Sequence, residues 1–363
     1  MGNKSPFDKG GFRGIRKGKT MKQLLNTLFV MTEGSYLHLE SETVKVKLDG
    51  ETRLQVPLHH LGGFVLFGNV MTSPFLLHKC AEDGRSVVLL DRNGRYRCRM
   101  VGKVGGNVLL RHQQHLTIAD TSRQAAIVRN LVAGKLQNAR QVLLRGQREA
   151  KDDADTSALR TAAELLGRAI ERLPSATEIE FMRGLEGESA RVYFDCLDRM
   201  LSQNRDAFRM NGRSRRPPRD RINALLSFLY VLLLNDCISA VEGVGLDPQM
   251  GFLHVMRPGR PSLGLDLMEE LRPILADRLA LTLINLRQIA PEDFEERPGG
   301  AVYLNEKGRK AVVAAYQKRK QDEVQHPVLE QSVPLGLIPH AQARLLARHL
   351  RGDTEAYTPF LYR

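Results

Sequence analysis

Three short stretches carry side chains that could act together chemically. GLEGESARVYF (184–194) offers Glu186 beside Gly187 at the expected start of a helix, with Arg191 further along. GFLH (251–254) sets His254 just ahead of the loop VMRPGRP. SLGLDLMEELRP (262–273) places Asp266, Glu269 and Glu270 at helical spacing i, i+3, i+4 over one arc. Two carboxylates and an imidazole make a hard oxygen/nitrogen donor set suited to Mg²⁺ or Mn²⁺. In such a site a metal neutralises charge on a scissile phosphate and activates the attacking oxygen. Each stretch also has a plainer reading. A first-turn Glu complements the helix dipole, a His after Gly-Phe-Leu is a hydrogen-bonded structural residue, and a D-x-x-E-E pattern is a solvated face. Three carboxylates on one arc repel one another unless they are exposed or neutralised, and Arg272 is placed to neutralise them.

Other chemistries find little support. The chain has no P-loop, GxSxG or HExxH pattern. Its cysteines, Cys80, Cys98, Cys196 and Cys237, form no CxxC pair, which argues against a thiolate zinc site or a disulfide framework. A reducing cytosol is the expected compartment. Lys+Arg 54 against Asp+Glu 41 give a net charge of +13, which favours a polyanionic partner, nucleic acid or an acidic membrane face. RDAFRMNGRSRRPPRDR (205–221) holds seven arginines in what Pro, Gly and Asn make largely a loop. Arg213, Arg215, Arg216 and Arg219 there, Arg257 and Arg260 beside His254, and Arg191 are the candidate DNA contacts, because the guanidinium fork matches phosphate geometry. The alternative for the 205–221 run is a solvated stretch that keeps the apolar helix after it soluble.

The elements that must position these residues change type along the chain. Residues 1–20 are Gly-rich and basic without periodicity, and are expected to be a disordered arm. From Met21 to about Val104 short runs such as TVKVKL (43–48) and GFVLF (63–67) alternate with Glu33-Gly34, Asp49-Gly50 and Asn93-Gly94 turn signals, with one short helix near 74–83. After about Arg111 the period is helical, near 121–149, 157–173, 186–204, 219–242, 264–288 and 306–322, with caps expected at Thr156–Ser157 and Ser175–Thr177. The fold class is therefore α+β: a small N-terminal β domain with a sandwich-like sheet (21–106), joined near Gly105-Gly106 to a larger all-α domain (107–363). The apolar run ALLSFLYVLLL (224–234) is too short to span a bilayer and reads as a buried helix; no signal peptide and no membrane association are expected.

The L-E-G, G-F-L-H and L-D-L-M-E-E segments, in this order, resemble the CRISPR-associated integrase/endonuclease family called Cas one, over nearly all of Met21 to Arg363. The opening MKQLLNTLFV and the closing LLARHLRGDTEAYTPFLYR look like its subtype I-C branch. The resemblance implies a catalytic α domain whose metal ligands are Glu186, His254 and Glu269, with Asp266 as an auxiliary or second-metal ligand. Glu270 stays open as the third ligand in place of Glu269. It implies a β domain that mediates homodimerisation, Mg²⁺ or Mn²⁺ as cofactor, a prokaryotic cytoplasmic setting, and double-stranded and branched DNA as partner. A small companion acquisition protein, Cas two, would be met through the tail of the α domain. The implied activity is attack by a 3′-OH of foreign DNA on a phosphodiester of the CRISPR repeat. The imidazole must be neutral to ligate, so activity should fall in acid. The other readings are a non-catalytic DNA-binding scaffold and a branched-DNA nuclease that does not integrate.

Overall fold

The computed structural model describes residues 26–100, 102, 108–214 and 216–362. The basic arm 1–20, the Gly105-Gly106 junction and Arg215 lie outside the described residues. Strands β1 (Asn26–Val30), β2 (Tyr36–Glu40), β3 (Thr43–Leu48), β4 (Glu51–Pro57), β5 (Leu61–Phe67), β7 (Ser86–Leu90) and β8 (Tyr96–Met100), with helix α1 (Pro74–Glu82) before β7, follow the expected runs closely, and a two-residue strand β6 (Met71–Thr72) adds to them. They form two four-stranded sheets, ordered β4-β3-β2-β6 and β1-β5-β7-β8. Asp49 and Gly50 both take positive φ, 52° and 81°, as a tight hairpin turn between β3 and β4 requires. Val44 and Val46 alternate inward on β3, where they meet Leu37, Phe64, Leu66 and Leu76. β5 is buried on both faces: Phe64 and Leu66 join this small core, whereas Val65 and Phe67 join the core of the helices. That is why GFVLF is an unbroken apolar run.

The helical region comprises α2 (Val108–Ala119), α3 (Thr121–Glu149), α4 (Asp153–Arg172), α5 (Ile179–Asp195), α6 (Arg221–Gly243), α7 (Ser262–Glu269), α8 (Arg278–Asn285), α9 (Glu306–Lys320) and α10 (Ile338–Leu350). Two hairpins, β9 (Phe294–Arg297) with β10 (Ala301–Leu304) and β11 (Glu323–His326) with β12 (Gln331–Pro334), interrupt what the sequence suggested to be helix throughout. Their four-residue strands are too short to show a period. Helix α6 is long and apolar enough to cross a membrane, yet Leu225, Leu229, Leu232 and Leu233 sit at the centre of the core. α4 starts earlier than expected, because Asp152 rather than Thr156 accepts the Asp155 amide at 2.7 Å. α5 spans 179–195 instead of 186–204, with Glu178 at its N-cap in place of Ser175–Thr177. The expected 264–288 helix is broken: after Glu269 the chain widens into a π-type turn over Arg272–Asp277. Pro273 has no amide hydrogen and its ring crowds the carbonyl four residues back, so a regular helix cannot continue through it.

Candidate active site

Four elements meet around one buried cluster. Glu186 lies in the middle of α5, not in its first turn, so the dipole reading does not apply to it. His254 follows α6 on the 251–254 loop. Asp266 and Glu269 stand on α7, and Lys135 on the long helix α3 faces them. The 251–254 loop lies close against α7: a Cβ on Gly251 would sit 2.7 Å from Ser262 and 2.9 Å from Asp266 Oδ2.

Asp266 is fully buried and holds that loop. Its Oδ2 accepts the Phe252 and Leu253 amides at 2.5 and 3.0 Å, and its Oδ1 accepts the His254 amide at 2.9 Å and lies 2.7 Å from His254 Nδ1. With Nδ1–H donated to Asp266, the lone pair on Nε2 is turned towards Glu269 Oε1, 3.6 Å away. Both oxygens of Asp266 are engaged in this work, so in this structure it orients the loop and the imidazole. Glu269 Oε2 lies 2.6 Å from the Lys135 ammonium, which also pairs with Glu186 Oε1, and Arg272 Nη1 reaches Glu269 Oε1 at 3.0 Å. Burial alone would raise the Glu269 pKa, but Arg272, Lys135 and His254 outweigh it and bring it down to about 2. Arg272 is itself stacked on Tyr230, 4.8 Å from the ring centre.

Glu269 and Glu270, inseparable by spacing, face different surroundings. Glu270 accepts from Tyr357 Oη at 2.5 Å and from the Phe360 amide at 2.7 Å, and Gln342 Nε2 lies 3.2 Å away. Burial pushes its carboxyl up to about 7. The three acidic residues of DLMEE therefore do not share one arc, and none of them is solvated. Among the described residues no three His, Cys, Asp or Glu are grouped so as to hold a metal ion, and the ammonium of Lys135 lies between the two glutamates. The donor types nonetheless suit a hard divalent ion: two carboxylates and an imidazole nitrogen whose partner nitrogen is held by Asp266.

Residues 28–318 match the family described as CRISPR associated protein Cas1. The chain belongs to the Cas1 family. It is 57% identical over 343 residues to a protein of Moorella thermoacetica named CRISPR-associated endonuclease Cas1 1, covering 94% of this chain and all of that one. The fold is shared with the CAS1 protein of Thermotoga maritima, at TM-score 0.77 and 24% identity over 92% of this chain and 99% of that one. It is shared also with a chain of a Cas6-RT-Cas1–Cas2 complex, at TM-score 0.79 and 22% identity over 94% of this chain and 37% of that one.

Within this Cas1 fold the candidate arginines divide. Arg191, Arg216, Arg219 and Arg257 are exposed, and Arg260 is half-buried, with its Nη1 3.4 Å from the Val255 carbonyl. Arg213 turns inward, contrary to the sequence expectation. It donates to Asn223 Oδ1 and to the Ser214 carbonyl, and stacks between Phe194 and Tyr230 at 5.4 and 5.3 Å. Arg215 is outside the described residues. The last residues are no free tail either: Tyr357 and Phe360 are buried, Asn138 Nδ2 donates to the Phe360 carbonyl at 2.7 Å, and Asn138 Oδ1 accepts the Tyr362 amide at 2.8 Å. Lys135 escaped sequence reasoning altogether. Its signal was a Lys on the apolar stripe of α3, aligned with Leu131, Asn138 and Val142 at helical spacing.

Proposed function

We propose that the chain is a divalent-metal-dependent DNA endonuclease and integrase of CRISPR spacer acquisition, with Glu186, His254 and Glu269 as its metal-binding catalytic residues. The observation that supports this reading is one cluster drawn from distant stretches of chain: Lys135 pairs with both Glu186 and Glu269, and His254 Nε2 lies 3.6 Å from Glu269 Oε1. Membership of the Cas1 family and 57% identity to a protein named as an endonuclease support it. Bound there, Mg²⁺ or Mn²⁺ would supply charge neutralisation at the scissile phosphate and activation of the attacking 3′-oxygen. The chain's own part is to hold donors and DNA in place. Asp266 fixes the tautomer of His254, and Arg272 keeps Glu269 charged in a buried setting. Glu186 and His254, with side chains 24% and 19% exposed, form the open side from which a phosphodiester arrives. Arg257 and Arg260, in the loop that leaves His254, and the exposed Arg191 on α5 would hold the DNA backbone.

The same reading takes 21–106 as a homodimerisation unit and 107–363 as the catalytic unit. It takes Cas2 as a partner, as in the solved complex of similar fold. Tyr357 and Phe360 anchor the tail of the α domain, and its exposed residues 352, 353, 355, 356 and 358 are the part that would meet Cas2. The likeness of the opening MKQLLNTLFV and the closing LLARHLRGDTEAYTPFLYR to the subtype I-C branch supports reading the chain as one of that branch. The test is joining of a 3′-OH oligonucleotide to a plasmid-borne repeat in Mg²⁺ or Mn²⁺. Glu186→Ala, His254→Ala and Glu269→Ala should each reduce nicking and joining to background while melting near wild type. Wild-type joining by any one of them removes that residue from the centre. Nicking without joined product would favour the branched-DNA nuclease.

A further inference from the structure

Lys135 has no part in the reading above, yet its ammonium lies at the focus of the cluster. The side chain is 10% exposed and pairs with Glu186 Oε1 and, at 2.6 Å, with Glu269 Oε2. Arg272 neutralises the other oxygen of Glu269 but makes no ion pair with Glu186 among the described contacts. Without Lys135 two carboxylates would face each other in a poorly hydrated site and repel. A hard divalent ion held by the same oxygens would lie about 2.0–2.2 Å from each, in the space the ammonium now fills. Ammonium and ion cannot occupy it together.

The surroundings give the ammonium somewhere to go. Lys135 also lines a cavity of about 20 Å³, room for one water, whose wall includes Ser189, Tyr193, Tyr230, Arg272 and Asp277. The carboxyl of Asp277 lies in this wall and is hydrogen-bonded by Tyr230 Oη at 2.6 Å. A lysine stem is flexible and its ammonium is a compact point charge, whereas Arg272 is stacked on Tyr230 and fixed.

We propose that Lys135 is a built-in placeholder cation: it keeps Glu186 and Glu269 together when no metal is bound, and divalent metal binds by displacing its ammonium towards the Asp277 side of the cluster. The inference rests on the metal-centre reading and adds a tethered competitor to it. Such a residue preserves the shape of the site while making loading depend on the metal concentration.

Two measurements on the full chain test it. The first is Mn²⁺ affinity by calorimetry or electron paramagnetic resonance. Lys135→Met should bind Mn²⁺ roughly tenfold more tightly or better, and the Mn²⁺-free variant should melt lower than wild type with a larger metal-induced rise. Lys135→Gln serves where the Met variant does not fold. Loss of a positive charge alone would also tighten binding, so the second measurement decides displacement. A crystal structure of the wild-type protein with Mn²⁺ should show the Lys135 ammonium away from Glu186 and Glu269 and on the Asp277 side. Unchanged or weaker Mn²⁺ binding in both variants, or a Lys135 ammonium still paired with both glutamates in the Mn²⁺-bound protein, overturns the placeholder. If wild type shows no Mn²⁺ binding that Glu269→Gln removes, the metal-centre reading itself falls and the placeholder falls with it.

Discussion

Asp266 shows how one side chain can matter through another. It accepts three successive backbone amides and lies against the imidazole Nδ1, so it fixes both the loop and the ring. Replacing it with Asn puts an amide donor where an acceptor is required and frees the imidazole to carry its proton on Nε2, the nitrogen that would ligate in the proposed metal centre. We expect Asp266→Asn to lower nicking and Mn²⁺ affinity by about 10–100-fold. Lost hydrogen bonds at the loop should cost about 1–3 kcal/mol of stability. Nicking at the wild-type rate in a folded D266N protein would show that the ring is oriented by something else. At this scale residue types were legible and orientations were not. The spacing of DLMEE put Asp266, Glu269 and Glu270 on one side of a helix. Which of them faces His254 and which faces Tyr357 depends on what packs opposite, and that is set by α3 and by residues 357–362, far away in sequence. Arg272 could be foreseen as the neutralising cation because it follows the acidic triplet closely, whereas Lys135 comes from a helix with no motif at all.

The elements that frame the site make predictions of their own. The π-type turn over Arg272–Asp277 buries Asp277, whose carboxyl burial pushes up to about 6 from its ordinary 3.8, against the hydroxyls of Tyr230 and Tyr193 and the charges of Arg272 and Arg213. The folded protein thus holds this proton more tightly than the unfolded chain. The resulting stabilisation is complete below pH about 4 and is lost as pH rises through about 6, by about 3 kcal/mol at most. Glu269 acts in the opposite sense, its contribution being present above its ordinary 4.5 and lost as pH falls towards about 2. Asp277→Asn should therefore flatten the decline of melting temperature between pH 4 and 6, and an unchanged slope would show that Asp277 stays ionised there. A second element-scale test concerns the C-terminal strand of chain laid across α3. A Cβ on Gly134 would come 2.5 Å from the Pro359 ring carbon and 3.4 Å from Glu270 Oε2. Helix propensity would favour Ala by about 1 kcal/mol. The clash with a rigid ring should outweigh that, giving a net loss of about 1–3 kcal/mol in Gly134→Ala by denaturant unfolding. A more stable variant would show that the tail yields. The strands were legible because their pattern is local: alternation in TVKVKL and a turn residue at Gly50 are enough. α2, α10 and the two hairpins were missed, since their apolar residues meet partners remote in sequence and their periods are short or masked by His and Gln.

Net charge of +13 describes the whole molecule, but the structure separates arginines that hold the fold from those that stand exposed. Arg205 grips Asp155 with two nitrogens at 2.6 and 2.9 Å, Arg199 adds a third contact at 2.9 Å, and Arg213 is wedged between aromatic rings. Removing these should lower stability and leave the ionic part of DNA binding nearly untouched. Arg216, Arg219 and Arg257 are exposed, and Arg257 sits in the loop that leaves His254. Each phosphate contact releases close to one counterion, so a protein that loses three such contacts loses roughly 2–3 from the slope of log affinity against log salt concentration. The triple variant Arg216→Gln, Arg219→Gln, Arg257→Gln should therefore bind duplex DNA more weakly at low salt, with a flatter salt dependence and an unchanged melting temperature. Arg205→Gln should show the reverse: a lower melting temperature and the wild-type slope. Identical slopes for wild type and the triple variant would place the DNA path elsewhere on the molecule and return the 205–221 segment to the role of a solvated cover ahead of α6.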